Sequence, residues 1–218
     1  MKTDTATATA VRFVGRLDAK GFPVDSAWGI APRLRFDADW QGSNSDPERA
    51  TEVRILWTPE MLFLRFDAKY RVITVFPDGD TDGRRDHLWD RDVCEAFLQP
   101  DASQLRKYKE FEVAPNAMFI DLDIDAGAGL GRDLKSGLRR RVDVDKAGKT
   151  WRAVLALPMK SIVEQFDSKV VWRANFYRAE GTEEPRFYSA WQPTRTEKPA
   201  FHVPEAFGKI VFAESAGR

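Results

Sequence analysis

Apolar and polar residues alternate with a period of two through most of this chain, the pattern of strands whose side chains point to opposite faces of a sheet. Val53, Ile55 and Trp57 alternate with Arg54 and Leu56, the turn Thr58-Pro59-Glu60 follows, and Leu62, Leu64, Phe66 and Ala68 alternate with Phe63, Arg65 and Asp67. That predicts a hairpin. In the next stretch Asp92, Cys94, Ala96 and Leu98 fall on one face and Val93, Glu95, Phe97 and Gln99 on the other. The strand after it sets Lys109, Phe111 and Val113 against Tyr108, Glu110 and Glu112. A third sets the apolar row Met118, Ile120, Leu122 and Ile124, predicted to face a core, against Phe119, Asp121, Asp123 and Asp125. If the three strands are neighbours, one face is expected to carry Glu95, Glu110, Glu112, Asp121 and Asp123 beside Phe97, Tyr108 and Phe119.

Further strands are predicted near residues 138–144, 151–157, 170–179, 187–191 and 209–213. Pro158 ahead of Met159, Ile162, Val163 and Phe166 predicts one short helix of about two turns near residues 158–166. The fold class that follows is all-β: a two-sheet antiparallel β-sandwich of the jelly-roll or immunoglobulin-like kind. Residues 1–10, rich in Thr and Ala, read as a flexible lead-in, and residues 11–218 as a single domain. Two polar segments, residues 76–90 and 191–207, are too long for simple connections and are candidate binding loops.

Composition narrows the function. Thirty-four basic and thirty-four acidic residues cancel, and the longest basic run is Arg139-Arg140-Arg141, so there is no electrostatic footprint for nucleic acid. No segment is apolar for the ~20 residues a membrane span requires. The start of the chain lacks the apolar centre of an export signal, so a cytoplasmic location is expected unless a leader has been removed. The single cysteine, Cys94, sits in an apolar row and reads as a small buried hydrophobe. One Cys and two His disfavour zinc. Of the seven tryptophans, Trp89 and Trp191 stand at strand–loop junctions among polar neighbours, where a ring is either a ligand platform or an edge contact. Glu95 is either a ligand group or half of a buried ion pair.

Several stretches together resemble carbohydrate-binding module family 9 and its free-standing bacterial relatives: Thr51-Glu-Val-Arg-Ile-Leu-Trp57, Trp89-Asp-Arg-Asp-Val-Cys-Glu-Ala-Phe-Leu-Gln-Pro100, Tyr108-Lys-Glu-Phe-Glu-Val-Ala-Pro-Asn116, Trp172-Arg-Ala-Asn-Phe-Tyr-Arg178 and Phe201-His-Val-Pro-Glu-Ala-Phe-Gly-Lys-Ile210. The resemblance implies a lectin-like, non-catalytic β-sandwich in which two aromatic rings sandwich a mono- or oligosaccharide while carboxylate and amide groups bond its hydroxyls. Trp89 and Glu95 match the family's first tryptophan and strand glutamate. Trp191 is the nearest candidate for the second ring, with Phe201 and His202 as alternatives. Glu112 stands where sugar-binding members carry an arginine. The expected ligand set is thus Trp89, Glu95, Glu112, Asn175, Trp191 and Phe201. Some members of the family hold structural calcium, for which the acidic residues here, including Asp121, Asp123 and Asp125, offer hard oxygen ligands.

Other classes stay open to the same residues. A jelly-roll glycoside hydrolase needs two carboxylates about 5–10 Å apart across one bond, which these acids could supply, although the Glu-x-Asp-x-Glu pattern of one such group is missing. Haem would have to draw on Met61, Met118, His87 and His202. A relative without sugar affinity would serve as an interaction domain.

Overall fold

A computed structural model describes residues 6–214. Among the described residues thirteen strands form: β1 (Thr7–Arg12), β2 (Leu34–Phe36), β3 (Thr51–Trp57), β4 (Met61–Lys69), β5 (Val93–Gln99), β6 (Lys107–Val113), β7 (Phe119–Asp125), β8 (Leu130–Asp133), β9 (Arg139–Asp145), β10 (Thr150–Pro158), β11 (Trp172–Glu180), β12 (Phe187–Ala190) and β13 (Gly208–Ala213). The predicted hairpin is β3–β4, closed by Thr58, whose hydroxyl accepts from the backbone N–H of Glu60 and Met61 at 3.2 and 3.1 Å.

The fold is all-β, and the two-sheet antiparallel expectation needs one correction. Hydrogen bonds run without a break along β8-β7-β6-β5-β11-β13-β1-β3-β4-β10-β9, a single curled sheet in the form of a half-barrel. The join is β1, which is parallel to both β13 and β3 while the other pairings are antiparallel. Residues 7–10, read from sequence as part of the flexible lead-in, therefore lie in the middle of the sheet. Their small Thr and Ala side chains suit a strand flanked on both sides, and Ala8 and Ala10 are buried.

Curling brings the inner faces of the two ends together. Leu62, Leu64 and Phe66 of β4 and Trp151, Ala153 and Leu155 of β10 share a core with Cys94, Ala96 and Leu98 of β5, Phe111 of β6 and Phe176 of β11. Phe66 and Phe176 meet edge-on, centroids 6.2 Å apart. Burial pushes the Cys94 thiol up to about 12, which leaves it a protonated, inert core residue.

The predicted helix is a single turn, α1 (Met159–Ile162). Met159 and Ile162 enter the core, but the chain is extended again at Val163, whose N–H bonds Met159 O at 3.0 Å. Phe166 reaches Trp57 and Trp172 from the following loop, so its helical spacing reported burial without helix.

The outer face of β5, β6, β7 and β11 is also covered, by the two long loops. Leu88 packs on Val93, Ala114, Ile120 and Ala179. Phe201 and Phe207 pack with Phe97, Tyr108, Ile124 and Tyr177. Between these two small apolar clusters the face is open.

Candidate functional site

The site is assembled by alternation along three adjacent strands. Residues directly opposite across an antiparallel pair share a face, and Glu95 lies opposite Glu112 on β6 and Tyr177 on β11. Glu110, two residues before Glu112, shares that face. The three carboxylates form the floor of a cavity of about 400 Å³ walled by Trp89, Arg186, Tyr188, Phe201 and His202. A second lobe of about 520 Å³ shares Trp89, Glu110 and His202 with the first and continues along Leu122, Ile124 and Ala126.

The loops explain the walls. Residues 88–90 make one 3-10 turn in which Leu88 takes the apolar slot, fully buried, so the next side chain, Trp89, turns outward and is 37% exposed. The His87 ring leans on the indole at 4.9 Å. On the other side, β11 uses its outer row to hold the 191–207 loop. Asn175 donates to Gln192 O at 2.8 Å and accepts from Gln192 N at 2.9 Å, the Tyr177 hydroxyl donates to Phe201 O at 2.8 Å, and Arg173 donates to Pro204 O at 2.7 Å. Tyr177 also stacks on Phe201, centroids 4.2 Å apart at 14°. Arg186 is fixed at the rim by donating to Trp89 O, Arg91 O and the Tyr188 hydroxyl at 2.8, 3.0 and 3.3 Å.

The floor is acidic and buried. Glu95, Glu110 and Glu112 are 2%, 2% and 0% exposed. Burial, reinforced by the neighbouring acids, raises Glu95 and Glu112 well above the ordinary carboxylate value, and burial raises Glu110 as well. Both oxygens of Glu112 and Oε2 of Glu110 have no hydrogen-bond partner among the described residues. Glu110 and Glu112 can bond each other only if one of them carries a proton, because an ionised carboxylate has nothing to donate. His202 is the nearest base, its Nε2 4.0 Å from Glu110, while its Nδ1 lies 2.6 Å from the Tyr108 hydroxyl.

Of the six expected ligand residues, Trp89, Glu95, Glu112 and Phe201 meet at this cavity. Trp191 does not. One residue beyond Ala190, which lies opposite Tyr177, it turns to the inner side, rests on Phe176 at 5.7 Å and lines a separate groove with Thr7, Leu34 and Ile55. Gly208 makes room for it, since a Cβ there would come within 2.5 Å of the indole. The expected Trp89–Trp191 clasp is therefore not formed, and the rings facing the cavity with Trp89 are Tyr188, Phe201 and His202. Asn175 is likewise displaced from its expected role. Its amide is consumed by Gln192, by the Tyr177 hydroxyl at 2.8 Å and by the Phe176 N–H at 2.9 Å, so it anchors a loop.

The aspartate row is the third correction. Glu112 lies opposite Ile120 and Phe111 opposite Asp121, so Ile120, Leu122 and Ile124 share the face of the glutamates and the aspartates turn to the other side. Asp121 pairs with Arg84 at 2.6 Å and accepts from Ser136 N at 2.7 Å, Asp123 pairs with Lys109 at 2.6 Å, and Asp125 caps the turn at Gly127 and Ala128. Glu110, Arg186 and Tyr188 were missing from the expected set, and His202 stood beside it only as an alternative second ring. Glu110 was visible as the strand neighbour of Glu112, whereas Tyr188 enters only through the pairing of β12 with β11, opposite Ala179.

A ring-walled, acid-floored cavity carried on a packed sheet face is the build of a small-ligand binding domain. Residues 37–212 match the model of Carbohydrate-binding family 9, and the chain belongs to that family, as its sequence resemblance implied. An "Extracellular protein" of Arthroderma benhamiae is 24% identical over 194 residues, spanning 82% of this chain and 85% of that protein. Two solved structures share the fold. One is from Bacteroides uniformis, a protein whose description proposes carbohydrate binding, with a TM-score of 0.74, 15% identity and coverage of 96% of this chain and 100% of that one. The other is a family 9 module of Caldicellulosiruptor kristjanssonii in complex with cellotriose, with a TM-score of 0.60, 12% identity and coverage of 95% and 94%. Among the described residues no helix is long and apolar enough to cross a membrane.

Proposed function

We propose that this chain binds a mono- or oligosaccharide non-covalently in the cavity beside Trp89. The observation that carries this reading is an outward-turned indole at the mouth of a cavity floored by carboxylates, in a member of a carbohydrate-binding family. The apolar C–H face of a pyranose stacks on indole, and its rim of hydroxyls needs fixed acceptors such as Glu95, Glu110 and Glu112. Tyr188, Phe201 and His202 supply the opposing wall, and the second lobe has room for a further sugar unit along Leu122 and Ile124. Cellotriose, the ligand of the Caldicellulosiruptor module, is the first sugar to try, with glucose as its monomer.

A retaining glycosidase sets its two carboxyl groups about 5–5.5 Å apart, so the close-set floor carboxylates, with oxygens within 4.8 Å of one another, call for a hydrolysis arm in the test. The test is a titration of intrinsic tryptophan fluorescence with glucose and cellotriose. A saturable change that Trp89→Ala weakens at least tenfold, about 1.4 kcal/mol, with unfolding unchanged, supports the reading. No change with any sugar in a glycan screen leaves an interaction domain, and release of reducing sugar overturns the non-catalytic assignment.

A further inference from the structure

We propose that Glu95, Glu110 and Glu112 hold a divalent, oxygen-seeking cation of the calcium class at the floor of the cavity. Three independent features of the molecule carry this.

The first is geometry. Each glutamate offers one carboxylate oxygen such that all three lie within 4.8 Å of one another. Two oxygens bound to the same calcium at about 2.3–2.6 Å can be at most about 4.6–5.2 Å apart, a condition each pair of floor oxygens meets. The second is want of partners. Glu112 is fully buried, lines the cavity, and finds no donor for either oxygen among the described residues except a protonated Glu110, an acid like itself. Oε2 of Glu110 is in the same condition. A buried carboxylate without partners is costly, and Glu95 directly opposite Glu112 places like charges face to face across a strand pair, a destabilising arrangement by itself.

The third is the lack of a protein cation for the task. Arg186 lines the first lobe, but its donors go to Trp89 O, Arg91 O and Tyr188; Arg106 lines the second lobe, and among the described residues neither forms an ion pair with the three glutamates. His202 stands 4.0 Å from Glu110 with its ring 56% exposed. Elsewhere the chain pairs its buried acids: Asp121 with Arg84, and Glu180 with Arg178. An all-carboxylate donor set selects a hard ion over zinc or copper, which favour nitrogen and sulfur. The cavity side of the cluster leaves coordination positions for water or for a ligand hydroxyl.

The experiment uses the full chain, stripped with a chelator, exchanged into chelator-free buffer and titrated with calcium chloride alone by calorimetry and thermal unfolding. The expected result is one saturable site and a rise in Tm of about 5–10 °C at a hundredfold excess over Kd, lost in both Glu112→Gln and Glu110→Gln. Either variant suffices if the other does not fold. No heat and no Tm shift with calcium, magnesium or manganese beyond matched sodium chloride overturns the proposal. So does a calcium response that survives in both variants, which would place the ion elsewhere. Stabilisation by glucosamine hydrochloride but not by calcium also overturns it, in favour of an ammonium ligand. Because no sugar is present in the calcium titration, its outcome leaves the sugar-binding reading to stand or fall on its own test.

Discussion

Two groups of buried acids lie on opposite faces of the same strands, and the fold treats them differently. On the inner side, Arg178 of β11 is fully buried and donates to Glu180 at 3.1 Å, with Asp92 at 3.8 Å, while Asp92 also accepts from Gly181 N at 2.8 Å and the guanidinium lies over Trp151. On the outer side, Glu95, Glu110 and Glu112 have comparable burial and, among the described residues, no Lys or Arg within ion-pair distance, while the His202 ring stands 4.0 Å from Glu110. Burial raises the carboxyls of both groups, but for Glu180 and Asp92 the Arg178 guanidinium opposes it, from 3.1 and 3.8 Å. A chain able to build the first arrangement has left the second unbalanced at a place where rings and loops frame a cavity. Departures of this kind from otherwise consistent packing mark sites that serve a ligand.

The comparison can be broken first at its stable half. Arg178→Met should cost about 3–5 kcal/mol, because it strands Asp92 and Glu180 as unpaired buried acids, measured by urea unfolding; a cost below 1 kcal/mol would mean that the ion pairs contribute little. Asn175→Ala should cost about 1–3 kcal/mol through the unanchored 191–207 loop and should weaken any ligand that touches Phe201 or His202. Glu112→Gln should go the other way, raising stability by about 1 kcal/mol in chelator at pH 8, since it removes one of three crowded charges.

The sign of the pH dependence sharpens the contrast further. Raised carboxyls hold protons in the folded state after the unfolded chain has released them. Their contribution is present below the ordinary value of 4.5 and is lost as pH rises through the folded values. In chelator, Tm should therefore fall from about pH 5 upward, less steeply in Glu112→Gln. Equal slopes for the two proteins would detach the glutamates from the effect.

Much of the floor could be read from alternation alone. The faces of β5 and β6 follow directly from period two, which puts Glu95, Glu110 and Glu112 on one side. The aspartates of β7 were assigned to the wrong side because the apolar row beside them was taken to face the main core. In this half of the sheet both faces are covered, the outer one by loops bearing Leu88 and Phe207, so an apolar row does not say which core it meets. Trp191 failed for a related reason. Its polar neighbours suggested a rim, but room for its ring comes from Gly208, seventeen residues further along, and such a contact leaves no local mark. β1 was hidden because Thr-Ala repeats carry no hydrophobic signal, and its two parallel partnerships are long-range.

If the proposed function holds, a crystal of the protein soaked in cellotriose will show a pyranose ring stacked on the Trp89 indole with hydroxyls directed at Glu95, Glu110 and Glu112. Sugar bound instead in the groove beside Trp191, with the Trp89 cavity holding only solvent, would contradict it.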